Sequence, residues 1–319
     1  MPSEFFMSGR CCIRASSLRA QRGVTLIELM VGITLGLLVV ATAMAALMVS
    51  RGVSGTVSDA SNMQQQAAYA LRVIGGQLRQ AGLLKLAVVD TSLAADDPAA
   101  THAFEVAALD SPESDFNFDL DQPQTLLSGV DGGGAEADTL SVGFRRYQDH
   151  VFANPAGSGA AYVTLARNCL GGPGESDGHQ LVQSVFSVAL DPKTGVPQLY
   201  CAGNSATRQA IVENVADFQI RYLVQDVSAP GVPKLRYLLA ASVTHWAAVQ
   251  GVEVCLALYG DERIDMPTGS TYTGCDGNGD GVPDVIDMTG AALPEARRNR
   301  MHLVFRNVFQ LRSMGVSAS

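Results

Sequence analysis

From Val24 to Val49 the chain runs for twenty-six residues with Glu28 as the only charge. About 20 apolar residues suffice to cross a bilayer as a helix, so this run predicts a membrane-spanning helix. No proline falls between Pro2 and Pro98, and the helical pattern continues beyond the apolar run. Val53, Val57, Ala60, Gln64, Ala67, Leu71, Ile74 and Leu78 recur at spacings of four and three, the mark of one amphipathic stripe. Ser58, Asp59, Asn62, Gln65, Gln66, Arg72, Arg79 and Gln80 fall on the opposite face. Gly75-Gly76 weakens the helix locally, and Gly82 is the expected stop. A helix from Val24 to Gly82 would extend roughly 88 Å at the standard rise.

Residues 86–137 change character. Asp, Ala, Ser, Pro and Gly dominate, and the stretch reads as a long surface loop with one short ordered turn. Strand patterns then follow in series: Thr139–Arg145, Tyr162–Ala166, Val182–Leu190, Gln198–Cys201, Phe218–Val224, Leu235–Ala241, Val252–Tyr259 and His302–Leu311. One long N-terminal helix packed on a run of mostly antiparallel strands is an α+β fold. The expected divisions are 1–23 (leader), 24–49 (membrane half of the helix), 50–85 (amphipathic half) and 86–319 (β-rich head).

Charge sharpens this picture. Arg10, Arg14, Arg19 and Arg22 precede the apolar run with no acid among them, which holds the N-terminus in the cytoplasm and sends the head outward. The whole chain carries −9. With the first 23 residues, at +3, set aside, the remainder carries −12, so no direct nucleic-acid binding through a basic surface is expected. Cys11 and Cys12 lie ahead of the helix, leaving Cys169, Cys201, Cys255 and Cys275 on the outer side, where two disulfides are expected. Four cysteines allow three pairings. Cys169–Cys201 and Cys255–Cys275 close modest loops and are the favoured pair, although sequence alone does not choose among the three.

Ahead of the membrane run stands Arg22-Gly23-Val24-Thr25-Leu26-Ile27-Glu28-Leu29-Met30. An ordinary secretory signal places its apolar core before the cut; cleavage after Gly23 would leave the core on the mature chain. Glu28 would then lie about 6 Å along the helix from the new amine on Val24. A carboxylate inside the bilayer is costly and marks function, and it would attract a neighbouring subunit's amine where water is excluded. Gly32-x-x-x-Gly36 matches a helix-packing motif. This N-terminus resembles the leader and first helix of type IV prepilins, except that Val24 stands where that family most often has phenylalanine. Ala68–Gly82, Leu199–Gly203, Ile211–Phe218, Trp246 ahead of Val252–Leu258, and Arg300–Arg312 resemble the PilW family of minor pilins.

The resemblance implies processing by prepilin peptidase at Gly23 and Val24, N-methylation, and a role for Glu28 in assembly. It implies storage in the inner membrane and then entry into a surface pilus with other minor pilins and the major pilin, in a tip or initiation complex. The alternatives are a type II secretion pseudopilin, which shares the leader, and a signal-anchored calcium-binding periplasmic enzyme.

Asp276-Gly277-Asn278-Gly279-Asp280-Gly281-Val282-Pro283-Asp284-Val285-Ile286-Asp287 has the spacing of a calcium loop. Oxygen side chains fall at positions one, three, five, nine and twelve, glycine at six, and Val282 would offer its carbonyl at seven. Asp287 replaces the usual glutamate, and Pro283 argues against a following helix. The string resembles the Asp-rich loops of thrombospondin type 3 repeats. Catalytic patterns are sparse: His102, His150, His179, His245 and His302 are scattered, and no nucleophile elbow or phosphate loop occurs. Lys193-Thr194-Gly195 has no SxxK partner and reads as a turn, and Asp115, Asp119 and Asp121 read as solvated loop acids. An enzyme is not expected.

Overall fold

The computed structural model of the chain describes residues 23–81, 86–88, 104–106, 126–133, 136–145, 149–150, 162–163, 166–172, 181–204, 207–226, 234–277 and 279–311. The arginine-rich leader through Arg22, Cys11 and Cys12, the stop at Gly82, Asp115, Asp119, Asp121, His102, His179 and Asn278 lie outside these residues. The chain divides into two compact units, Met1–Val53 and Ser54–Ser319.

Helix α1 (Leu26–Leu78) begins in the first unit and ends in the second. Thr25 caps it: its Oγ1 accepts the Glu28 N–H at 3.3 Å, satisfying an N–H group that has no partner within the helix, and its carbonyl accepts the first helical bond, from the Leu29 N–H at 3.1 Å. Within the apolar run, Thr34 and Thr42 donate to the carbonyls of Val31 and Val39. Their hydroxyls are thereby satisfied without water.

In the second unit α1 buries Met63, Ala67, Ala70, Ile74 and Leu78, followed by Ala81 beyond its end. Ala67, Ile74 and Leu78 belong to the predicted stripe; Val57 (63% exposed) and Gln64 do not end up buried. The correction has a physical cause. The turns around Val57 meet the polar end of a strand, where Asp59 Oδ2 accepts the Glu262 N–H at 2.8 Å. Met63 and Ala70 carry the apolar stripe where the sheet core begins.

The strands in chain order begin with β1 (Leu86–Val88), β2 (Phe104–Val106), β3 (Leu127–Val130), β4 (Thr139–Arg145), β5 (Asp149–His150) and β6 (Tyr162–Val163). They continue with β7 (Leu181–Leu190), β8 (Pro197–Ala202), β9 (Arg208–Val212), β10 (Val215–Asp226) and β11 (Lys234–Leu238). Last come β12 (Val249–Arg263), β13 (Thr271–Thr273), β14 (Val285–Asp287) and β15 (Arg300–Gln310). Five of them form a sheet in the order β3-β4-β7-β8-β9, and four form a second sheet in the order β11-β10-β12-β15. β1–β2, β5–β6 and β13–β14 are separate two-stranded pairs. Every pairing is antiparallel.

The expectation of a long surface loop with one short ordered turn over 86–137 is corrected by β1, β2 and β3. β3 reads Leu-Ser-Gly-Val, with no clean alternation, because Gly129 is there to admit the Tyr222 hydroxyl from β10, where a Cβ would collide with it.

One core joins the helix to both sheets. Phe218, Ile220 and Tyr222 of β10 and Val252, Val254, Leu256 and Leu258 of β12 are buried in it with Ile74 and Leu78. Tyr222 meets Trp246 edge-on at 4.8 Å. A polar pin fixes the helix on the five-stranded sheet: Ser184 Oγ donates to Gln77 Oε1 at 2.9 Å, and Gln77 Nε2 donates to the Arg167 carbonyl at 3.3 Å.

β12 is buried on both faces, since Cys255, Ala257 and Tyr259 form a second small cluster with Ala216 and Cys275. The cysteines pair as Cys169–Cys201 and Cys255–Cys275, with Cα atoms 6.3 and 5.9 Å apart.

Candidate functional site

Two places carry the residues singled out in the sequence, and they are described separately. At the N-terminus, Gly23, Val24 and Thr25 precede α1 without regular secondary structure. Thr25 and Glu28 have the S/T-x-x-E spacing of a capping box, a signal the sequence reading passed over while weighing Glu28 alone. Glu28 thus has two uses: it lies in the first turn, where the helix dipole favours an acid, and its side chain is exposed.

Leu26–Met48 is a 23-residue span long and apolar enough to cross a membrane, and none of the apolar side chains described in it is buried. Leu29, Met30, Ile33, Leu37, Leu38 and Met44 are all more than half exposed. So much apolar surface on one helix requires an apolar environment, whether lipid or other helices. Gly32 and Gly36 have open space beside them, which leaves room for close helix approach.

In the acidic loop, Gly281 has φ +85° and Gly279 φ +72°, so the sharp turn expected at loop position six is present and uses glycine's freedom. Asp276 is buried at 3% exposure. Its Oδ1 accepts the Gly279 N–H and its Oδ2 the Gly281 N–H, each at 2.8 Å. Oδ2 also accepts from Arg221 Nη1 at 2.7 Å.

The remaining acids serve local turns. Asp280 accepts from Val282 N–H at 2.7 Å, and Asp284 accepts from Gly277 N–H at 3.5 Å. Asp287 lies on β14 and accepts from Thr289 through its hydroxyl at 2.7 Å and its N–H at 2.8 Å, bonds that hold its carboxyl below the usual carboxylate range. Among the described residues no three His, Cys, Asp or Glu side chains gather at one point.

The residue missed in the sequence is Arg221. It occupies the outer-facing phase of β10, reaches Asp276, and pairs with Glu253 of β12 at 2.5 Å. Its guanidinium also lies 4.9 Å from the Tyr237 ring centre. An arginine between Ile220 and Tyr222 in a buried strand was the available clue, because a charge there needs partners.

Family models match two stretches of the chain. Residues 185–313, from within β7 through β15, match the family described as Type IV Pilus-assembly protein W. Residues 18–44, covering the start of α1, match the Prokaryotic N-terminal methylation motif. A solved structure similar to this chain is a type IV-like pilin from Thermus thermophilus. It shares 12% identity at a TM-score of 0.34, over 79% of this chain and 97% of that one. Comparison with curated proteins gives no match.

Proposed function

We propose that the chain, whose residues 185–313 and 18–44 match the pilus-assembly family and the N-terminal methylation motif, is a structural, pilin-like protein of that family that enters a pilus as a minor subunit of the tip or initiation complex. The observation that supports this reading most is the exposed apolar span Leu26–Met48, directly behind Thr25 and with Glu28 in its first turn. In this account prepilin peptidase cuts after Gly23, and the new amine on Val24 is methylated. The span anchors the chain in the inner membrane with its head in the periplasm. On assembly the same surface leaves lipid for a bundle with the major pilin and other minor pilins. There the Glu28 carboxylate pairs with a neighbouring subunit's α-amine, an attraction that is strong only where water is excluded. Replacing Glu28 by Ala is expected to leave the chain in the membrane fraction and remove it from sheared filaments. Filaments containing the variant at the wild-type level would overturn the role of Glu28.

We further propose that the 276–287 loop takes a calcium ion, with oxygen from Asp276, Asn278, Asp280, Asp284 and Asp287 and from the Val282 carbonyl. The loop's spacing and its tight glycine turns support this. Arg221 now neutralises Asp276, so calcium would compete with that guanidinium. A higher Tm in calcium than in chelator is expected for the wild type and not for Asp276→Ala/Asp280→Ala. Equal Tm values for the wild type would remove calcium from the account.

A further inference from the structure

The segment from Ile264 to Asn299 folds over the outer face of the four-stranded sheet, with β13 and β14 as its hairpin. Just past β13 it is tied by the Cys255–Cys275 disulfide, by Arg221 on Asp276, and by Arg306 donating to the Gly274 carbonyl at 3.3 Å. On β13 itself its contact with the sheet is different in kind. Tyr272 of β13 lies flat on His302 of β15, with ring centres 4.5 Å apart and 15° between planes. His302 is buried at 6% exposure. Its Nδ1 lies 3.0 Å from the Arg300 carbonyl, and its Nε2 is buried without a hydrogen-bond partner.

Asp217 of β10 acts on Arg297 and Tyr272, but no acid is among the charges acting on the imidazole itself. Tyr272 covers it from the hairpin, and Tyr259 of β12 lies 6.1 Å away, ring centre to ring centre. Arg297, from the turn before β15, adds positive charge beside it. Arg300 of β15 is turned away to the carbonyls of Gly260 and Asp261. No carboxylate forms an ion pair with His302 among the described residues. A proton on Nε2 would therefore create a buried cation with no partner, next to a second cation, and burying an unpaired charge is costly.

We propose that His302 and Tyr272 form an acid-opened clasp: protonation of His302 lifts β13 off the sheet, while the Cys255–Cys275 bridge, two residues past β13, keeps the following turn attached. The arginines in the ties beside the disulfide keep their own charge across the range that protonates histidine, so the motion is a local opening of β13 about that turn.

Burial, with Arg297 beside the ring, lowers the His302 pKa from 6.5 to about 4. The sign follows: the closed form favours neutral imidazole, and an opened form has an ordinary histidine. Closure is at full strength above about pH 6.5 and weakens as pH falls toward 4. From those two values the open-to-closed ratio rises roughly 20-fold between pH 7 and pH 5.

The test is hydrogen exchange of the full chain in detergent, followed by mass spectrometry of the peptides containing Thr271–Thr273 and corrected for the intrinsic effect of pH. Opening on the order of 20-fold greater at pH 5 than at pH 7 is expected for the wild type. His302→Phe, which keeps the stack and cannot titrate, is expected to show no such rise. A flat wild-type profile would overturn the clasp, as would an equal rise in His302→Phe. If that variant does not fold, the titration of the His302 ring in the wild type by NMR decides: a midpoint in the ordinary histidine range overturns the proposal, and one well below it upholds it.

Discussion

Asp138 is nearly sealed from water at 3% exposure, and its carboxylate accepts the N–H groups of Gly132 and Ile220 at 2.9 and 2.7 Å. Its backbone N–H also donates to Phe218, so one residue ties the turn before β4 to β10. Burial raises its pKa from 3.8 to about 6 against the lowering effect of those N–H groups. The folded value lies above the unfolded one, so folding takes up a proton in this window. The stabilising contribution is smallest above pH 6 and grows as pH falls toward 3.8. His302 runs the opposite way over nearly the same range. Asp138→Asn is therefore expected to expose the loss of stability on acidification that Asp138 offsets in the wild type. Denaturant unfolding at a series of pH values between 4 and 7 checks this, and an unchanged pH profile would mean that Asp138 is not the group responsible. Nothing in Glu136-Ala137-Asp138 distinguishes it by composition from the loop acids nearby, so its role was not legible in the sequence.

Gly75 and Gly76 separate two explanations for the same dipeptide. Read as sequence, both weaken α1. In the structure Gly75 is buried, and a Cβ there would enter the Phe309 ring of β15, whereas a Cβ on Gly76 meets open space. Gly76→Ala is expected to stabilise the chain by up to about 1 kcal/mol through helix propensity. Gly75→Ala is expected to cost about 1–3 kcal/mol through overpacking. Thermal unfolding of the two variants checks both signs.

The same division runs through the other elements. Helix α1 and the strands β4, β7, β10, β12 and β15 were legible because their side chains alternate or recur against one core, and periodicity reports that directly. β3, β9, β13 and β14 were not, since they are short and partly exposed. Their positions follow from neighbours: Gly129 from Tyr222, and β14 from the hairpin with β13. Val57 was misplaced for the complementary reason. A periodic pattern predicts a face but not where the covering sheet ends.

At the scale of the molecule, the chain divides its apolar surface between two uses. In the second unit it is buried in a core shared by α1 and both sheets; in the first it is exposed along Leu26–Met48. Sequence and structure agree on this, since an uninterrupted apolar run behind four arginines leaves few other readings. The acidic loop was legible only in part: its glycine turns form as expected, while the partner that holds Asp276 comes from a strand 55 residues earlier. Such pairing depends on strand register, which local spacing does not contain.

The central claim is that this exposed helix becomes a mature N-terminus built for assembly. Mass spectrometry of the N-terminal peptide, from membranes of cells with and without prepilin peptidase, tests it most directly. The account predicts a chain beginning at Val24, with or without one methyl group, only when the peptidase is present. An intact leader in both strains would contradict it and leave Glu28 as a helix-capping acid in an ordinary membrane anchor.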